Sequence, residues 1–298
     1  MLNIIAYLFG TFLVLQFMKD LIYVVYVLFF SKNLDLKKIY GSDSYVLITG
    51  GSKGIGFGFA KEFASRGFNL ILVARNSEDL KQAKTEIEKK YSKCKCLVRS
   101  FDFATLNELE SFEELSKSLD LPDNIDISIL VNNVGIANRR RLNNTLEEEI
   151  KKVITVNCLS QVLVTELLLK KFEKRNNASC IINVGSMSSK KPLPWFDLYG
   201  ATKSTNQYYN TSSLCFKKVD SYLFSPAFVA TQLSRTKQNF FKISVDESVQ
   251  SAMKFVGRHR ARIYGHWKHE ILHFAFWILP YELCLGFAKM FLGKVQNK

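Results

Sequence analysis

Apolar positions along this chain fall into two kinds of run. The first is a single block, "LNIIAYLFGTFLVLQFMKDLIYVVYVLFF", whose only charges are Lys19 and Asp20. At about 1.5 Å per residue, even the part before Lys19 nearly spans a hydrocarbon layer of roughly 30 Å. The start "MLNIIAY" has neither the basic residues nor the small-residue cleavage site of a signal peptide, so the block reads as a retained membrane anchor. Lys32, Lys37 and Lys38 follow it and no Lys or Arg precedes it, which predicts that the next domain faces the cytosol. The break at Lys19-Asp20 leaves one tilted span, a hairpin, or a span with an interfacial helix.

The second kind of run is short, apolar throughout, and alternates with helical spacing. "YVLITGG", "NLILVAR", "CLVRSFD", "ISILVNNVG", "SCIINVGS" and "SYLFSPAF" read as six strands. Between them, "GIGFGFAKEFASRGF", "SEDLKQAKTEIEKKY", Asn107–Leu119, the long "EEEIKKVITVNCLSQVLVTELLLKKFEK" and Tyr199–Phe216 read as helices. Strands without polar alternation, separated by helices, predict a parallel sheet covered on both faces. The expected fold is therefore α/β, a Rossmann-type doubly wound parallel sheet in one domain with an N-terminal membrane anchor. Its expected parts are an anchor and linker over 1–40, a nucleotide-binding catalytic domain over 41–265, and an apolar, membrane-associated segment over 266–298.

The 298 residues, 47% hydrophobic and 23% charged, exclude a disordered chain. The formal charge of +14 is spread out, with clusters at Arg139–Arg141, Lys170–Arg175 and near the C-terminus. With an anchor present, anionic headgroups or a phosphorylated substrate explain such charge better than nucleic acid, which is not expected as a partner. Six cysteines form no C-x-x-C pair and read as reduced thiols. His259, His266, His269 and His273 cluster, but an interfacial helix accounts for them and no metal site is expected.

The chemistry-bearing stretches lie at strand ends. In "TGGSKGIG" the glycines Gly50, Gly54 and Gly56, with Ser52, Lys53 and Ile55 between them, sit where the first strand enters the first helix. Such a turn lets a pyrophosphate approach free backbone N–H groups. The second strand ends in "VARNSED", with Arg75 and no preceding carboxylate; Arg75, seconded by Lys53, suits a 2′-phosphate and hence NADP(H). "SMSSKKPLPWFDLYGATKS" places Tyr199 four residues before Lys203, on one helix face, with Ser186 thirteen residues upstream of Tyr199.

"TGGSKGIG", Asp102, "NNVG", Asn157, Ser186, "YGATK" and "SPAFVAT" occur in the order of the classical short-chain dehydrogenases/reductases, and the chain resembles that family from about Ser44 to Arg262. "VNNVG", "PAFVAT" and the apolar N-terminus make it similar to the branch of membrane-bound very-long-chain 3-oxoacyl-CoA reductases and related 17β-hydroxysteroid dehydrogenases. The resemblance implies that Tyr199 is the proton donor, Lys203 tunes it and holds the nicotinamide ribose, Ser186 holds the carbonyl oxygen, and Asn157 belongs to a proton relay. It further implies that Asp102 meets the adenine, Asn132 and Gly135 the adenosine ribose, and Pro226, Val229 and Thr231 the nicotinamide side. The activity implied is NADPH-dependent reduction of a lipid ketone, most simply a long-chain 3-oxoacyl-CoA in fatty acid elongation. A hydroxysteroid dehydrogenase and a non-catalytic nucleotide-binding scaffold are the alternatives. The endoplasmic reticulum membrane, a homodimer and contact with other lipid-elongation enzymes are implied in the same way. Arg139–Arg141 and Lys190-Lys191 follow strand ends and are candidates for CoA phosphates. The segment between Lys203 and Pro226 lacks the family's glycine turn before the sixth strand, and the terminal "GKVQNK" does not form a dilysine signal.

Overall fold

The computed structural model describes residues 2–108, 112–121, 125–137, 145–191, 193, 195–213, 216, 218–234, 238–258 and 262–292. Arg139–Arg141, Cys215, His259 and the terminal "GKVQNK" lie outside the described residues.

Helix α1 (Leu2–Val25) runs unbroken through Lys19 and Asp20, which excludes a hairpin there. It continues as one wider turn, Tyr26–Phe30, closed by the Ser31 N–H on the Tyr26 carbonyl at 2.9 Å. Val24, Val27 and Leu28 are buried in the domain's core, while most of the preceding side chains are exposed. Lys254 Nζ donates to the Leu28 carbonyl at 2.5 Å and Arg258 to the Lys32 carbonyl at 2.7 Å, fixing the end of the helix to the domain. Two helical stretches of the described residues, Tyr7–Phe30 and Glu147–Glu173, are long and apolar enough to cross a membrane. The second is mostly buried and is a core helix. The short α2 (Leu36–Tyr40) also buries Leu36 and Tyr40 in the core.

The strands are β1 (Tyr45–Thr49), β2 (Asn69–Ala74), β3 (Cys96–Ser100), β4 (Ile127–Asn132), β5 (Ser179–Val184), β6 (Val219–Phe224) and β7 (Arg262–Ile263). All pair in parallel, in the order β3-β2-β1-β4-β5-β6-β7. Alternate side chains feed opposite layers. Val46 and Ile48 face Phe59 and Phe63 of α3 (Gly54–Ser65), with α4 (Ser77–Lys90) and α9 (Val245–Met253) in the same layer. Leu47 faces the layer of α5 (Phe112–Leu119) and α7 (Ser160–Glu173). The order reverses between β1 and β4, so a crevice opens beyond their carboxyl ends, where such sheets bind ligands.

The expected long fourth helix contains a change of pitch. Between α6 (Glu147–Ile154) and α7, residues Thr155–Leu159 form a π-helical turn, with the Ser160 N–H reaching the Thr155 carbonyl. Helix α8 starts two residues before the expected Tyr199, at Asp197, and ends at Ser213. The absent glycine before β6 has a direct counterpart: Lys218 takes φ +65°, a conformation glycine adopts without strain. The seventh strand, two residues long, has no signature in the sequence. Helices α10 (Trp267–Ile278) and α11 (Tyr281–Leu292) are the last elements among the described residues.

Candidate active site

The glycine turn is built against β4. Gly50 at φ +65° and Gly54 at φ +57° need the left-handed region. A Cβ on Gly56 would lie 2.3 Å from the Gly50 carbonyl and 2.5 Å from Asn133 Nδ2. Asn133 Nδ2 donates to the carbonyls of Thr49 at 2.9 Å and Gly50 at 3.1 Å, and Thr49 Oγ1 accepts from the N–H groups of Asn133 and Val134. The turn is thereby locked to the strand across the crevice.

Helix α3 begins at Gly54; its N-cap residue, Lys53, makes no side-chain cap, and its first turn holds no acidic residue. Its free N–H groups and dipole face the crevice uncompensated, as an anion site requires. The residues present thus fit a dinucleotide pyrophosphate. Thr231 stands opposite the turn, 3.6 Å from where a Gly54 Cβ would be. At the end of β2, Arg75 is largely exposed, with Nη1 3.9 Å from Asp102 Oδ2. Lys53 pairs with Asp79 at 2.8 Å.

A cavity of about 770 Å³ runs from this turn across the sheet edge. Gly50, Lys53, Gly54, Ile55, Arg75, Gly135, Ser186, Tyr199, Lys203, Pro226, Val229 and Thr231 all line it. Ser52 faces a neighbouring groove, Gly56 packs inside the turn, and Asp102 caps the following turn through the Ala104 N–H at 3.0 Å. Asn132 differs from its expected place beside the adenosine ribose. Its amide is buried and donates to Thr165 Oγ1 at 2.8 Å and Asn183 Oδ1 at 2.9 Å, while Asn133 points to the crevice.

Tyr199 and Lys203 lie one turn apart on α8 and both face the cavity. Burial pushes the Tyr199 phenol up to about 12, against the opposing pull of a hydrogen bond with Ser186. The phenol is therefore protonated at neutral pH. Lys203 Nζ donates to the Val184 carbonyl at 2.7 Å, and desolvation lowers its pKa to about 8. Ser186 Oγ accepts from the Ser188 N–H at 3.2 Å, which fixes it just past β5. Asn157, in the π turn, accepts from the Ile136 N–H at 2.8 Å and donates to the Ile136 carbonyl and Thr202 Oγ1. It ties the loop after β4 to α8 beside Lys203.

The far end of the cavity is apolar, walled by Leu193, Phe196, Phe228, Phe241 and, from α10, Leu272, Ala275 and Phe276. His269, fully buried, accepts from the Ala227 N–H at 3.3 Å and faces the Phe241 carbonyl at 3.1 Å, holding α10 to both walls. Burial lowers its pKa to about 4. Among the described residues no group of His, Cys, Asp and Glu is placed to hold a metal ion. Lys191 is already engaged, donating to the Leu279 carbonyl at the end of α10 and lying 3.6 Å from Cys284 Sγ. Lys190 is half-buried near Arg262, and burial lowers its pKa to about 8.

A seven-stranded parallel sheet with a glycine turn at its switch point and a Ser-Tyr-Lys set across the crevice defines a nucleotide-dependent oxidoreductase. The sequence pattern of the short chain dehydrogenases matches residues 44–241, and the chain belongs to that family. It is 32% identical to a very-long-chain 3-oxoacyl-CoA reductase of Bos taurus over 76% of this chain and 73% of that protein. It is 31% identical to a putative steroid dehydrogenase 3 of Caenorhabditis elegans, over 81% of this chain and 77% of that one. Among solved structures, a 7β-hydroxysteroid dehydrogenase superposes with a TM-score of 0.74 at 20% identity, covering 86% of this chain and 99% of that one. A short-chain dehydrogenase of Sphingobium yanoikuyae in complex with NADPH superposes with a TM-score of 0.68 at 23% identity, covering 86% and 98%.

Proposed function

We propose that this protein reduces the 3-oxo group of long-chain acyl-CoA with NADPH, anchored by α1 in the endoplasmic reticulum membrane with its catalytic domain in the cytosol. One observation carries the reading: a single cavity joins the dinucleotide turn, the Ser186–Tyr199–Lys203 set and a mainly apolar end under α10. The names of the relatives in cattle and in several fungi agree with it. Arg75 without a carboxylate before it supports NADPH over NADH.

NADPH, when bound, supplies the hydride to the carbonyl carbon. Ser186 and Tyr199 hold the substrate oxygen by hydrogen bonds, and the neutral phenol gives its proton to that oxygen as the C–O π bond breaks. The Lys203 ammonium, one helical turn along α8, steadies the resulting phenolate. Asn157 keeps Lys203 and the Gly135–Ile136 loop in register. The apolar end of the cavity receives the chain next to the ketone.

A steroid ketone is the second reading, favoured by the same apolar walls and by the nematode relative's name. Purified protein given matched long-chain 3-oxoacyl-CoA and steroid ketones, each with NADPH and with NADH, separates the readings by kcat/KM. A higher value for the steroid would overturn the acyl-CoA assignment. A higher value with NADH would overturn the cofactor assignment.

A further inference from the structure

At its apolar end the cavity wall reaches the protein surface at Leu233 and Ile271, with the polar Gln232 beside Leu233. Leu233 and Ile271 line the cavity, yet they are 43% and 49% exposed, so they belong to both wall and surface. Beyond them the apolar surface continues over Phe240, Trp267, Trp277 and Ile278. On α10 the exposed Trp267, Ile271, Trp277 and Ile278 share one helix face with half-buried Phe274, while Leu272 and His269 are buried on the other. A helix apolar on both faces has two apolar neighbours. The inner one is the cavity. From Ile271 to Leu283 the outer surface carries a single charged residue, Glu282.

The geometry at α1 identifies the second neighbour. Phe274 stacks on Phe17 of α1 with centroids 4.2 Å apart and planes at 21°. Because Val24, Val27 and Leu28 are committed to the core, the part of α1 free to meet lipid is residues 2–22. At 1.5 Å per residue that length is about 31 Å, one hydrocarbon thickness. Phe17 lies five residues from its domain end, or about 7 Å in depth, where interfacial helices settle. Lys268 sits over the rings of Phe240 and Trp267, 4.6 and 5.8 Å from their centroids, at the outer edge of the patch. Aromatic rings beside a cation are the side chains of the headgroup layer.

We infer that the outer face of α10 lies in the surface of the bilayer that α1 enters, and that the mouth between Leu233 and Ile271 opens into the acyl layer. The substrate's tail then enters sideways from the membrane, while its polar head stays on the aqueous side. A cavity of about 770 Å³ suits one drug-sized ligand. The inference rests on reading α1 as a membrane span and the site as acting on a long-chain ketone.

The full chain in phosphatidylcholine vesicles tests it by two routes. The variant Trp195→Phe/Trp267→Phe keeps Trp277 as the sole tryptophan, and vesicles with acyl-brominated lipid are expected to quench its fluorescence strongly. Fluorescence equal to that in unbrominated vesicles would overturn the membrane seating. Separately, Trp277→Asp/Ile278→Asp, at positions outside the cavity wall, is expected to lower kcat/KM at least about tenfold for a sixteen-carbon 3-oxoacyl-CoA carried in the vesicles. For water-soluble acetoacetyl-CoA the change is expected to stay within about twofold, because that chain needs no bilayer. Equal losses on both substrates, or none on either, would overturn lateral entry. If neither thioester is turned over by the unaltered protein, the acyl-CoA reading fails while quenching of Trp277 still supports the seating of α10.

Discussion

Lys203 bears its charge almost entirely out of water, and the consequence for stability is measurable. Its side chain is 3% exposed, its ammonium donates to the Val184 carbonyl, and it forms no ion pair among the described residues. Desolvation lowers its pKa from 10.5 to about 8. At about 1.4 kcal/mol per tenfold change in proton affinity, charging it in the folded protein costs about 3 kcal/mol relative to the unfolded chain. Between pH 8 and 10.5 the unfolded chain binds this proton and the native protein does not, so unfolding free energy rises with pH across that window. Below pH 8 the penalty is present in full. Lys203→Met removes it but leaves the Val184 carbonyl without this partner, a loss of about 1–3 kcal/mol. The variant is therefore expected to equal or exceed the parent in stability at pH 7 and to fall below it by about 1–3 kcal/mol near pH 10.5. Turnover is expected to drop at least about a hundredfold at every pH.

Urea unfolding in detergent, without dinucleotide and followed by tryptophan fluorescence at pH 7, 8.5 and 10, gives the parent-minus-variant difference directly. Groups common to both proteins cancel in it. A difference that does not change with pH would refute the desolvation argument. So would a variant more than about 3 kcal/mol less stable at pH 7, which would make the lysine a structural asset.

Tyr199→Phe is expected to lower kcat about 10²- to 10⁴-fold while leaving dinucleotide affinity within about threefold by fluorescence titration, and an unchanged kcat would remove the phenol as proton donor. Gly56→Ala forces a Cβ to within 2.3 Å of the Gly50 carbonyl and should weaken dinucleotide binding at least about tenfold by calorimetry. Affinity like the parent's would show that the turn yields. Arg75→Glu should raise the KM for NADPH at least about tenfold without raising that for NADH, and a parallel rise in both would show that Arg75 does not read the 2′-phosphate.

The sheet was legible because β1, β2, β4 and β5 are apolar on both faces and end in glycine or polar residues. That same lack of alternation hid the phase of each strand. Asn132 and Asn133 are neighbours at the end of β4, and only strand parity decides which enters the layer beneath and which faces the crevice. An apolar run sets no parity, so the sequence does not show that Asn132 packs within the sheet layer while Asn133 and Thr49 lock the turn. Helix α9 did carry a sign: Ser244 and Glu247 form a reciprocal capping box at the S-x-x-E spacing. Strand β7, with two residues, carried none, since its place is set by Phe224 and Leu223 alongside. The C-terminal segment is apolar enough to avoid water, but a helix with apolar residues on two faces does not reveal which face meets protein.

The part of the site least visible in sequence is what holds α8 in rotation. Apolar packing alone is tolerant of a helix turning or sliding, and a turn of one residue would carry Tyr199 and Lys203 out of the cavity. Directional bonds remove that freedom. Asn183 Nδ2 donates to Asn210 Oδ1 at 2.9 Å, and Ser221 Oγ donates to the same oxygen at 3.0 Å, fixing the C-terminal half of α8 to β5 and β6. Asn157 Nδ2 reaches Thr202 Oγ1 at 3.0 Å, fixing the half that bears the lysine. Asn132, joined to Asn183 and to Thr165 of α7, extends the same buried chain to β4. Each amide left unpaired in such surroundings costs about 1–3 kcal/mol, so α8 has one low-energy rotation rather than several. The π turn serves the same end: its extra residue directs Asn157 toward Thr202 and the Ile136 backbone, which a regular α-helix through Glu147–Glu173 would not do without shifting the frame of everything after it.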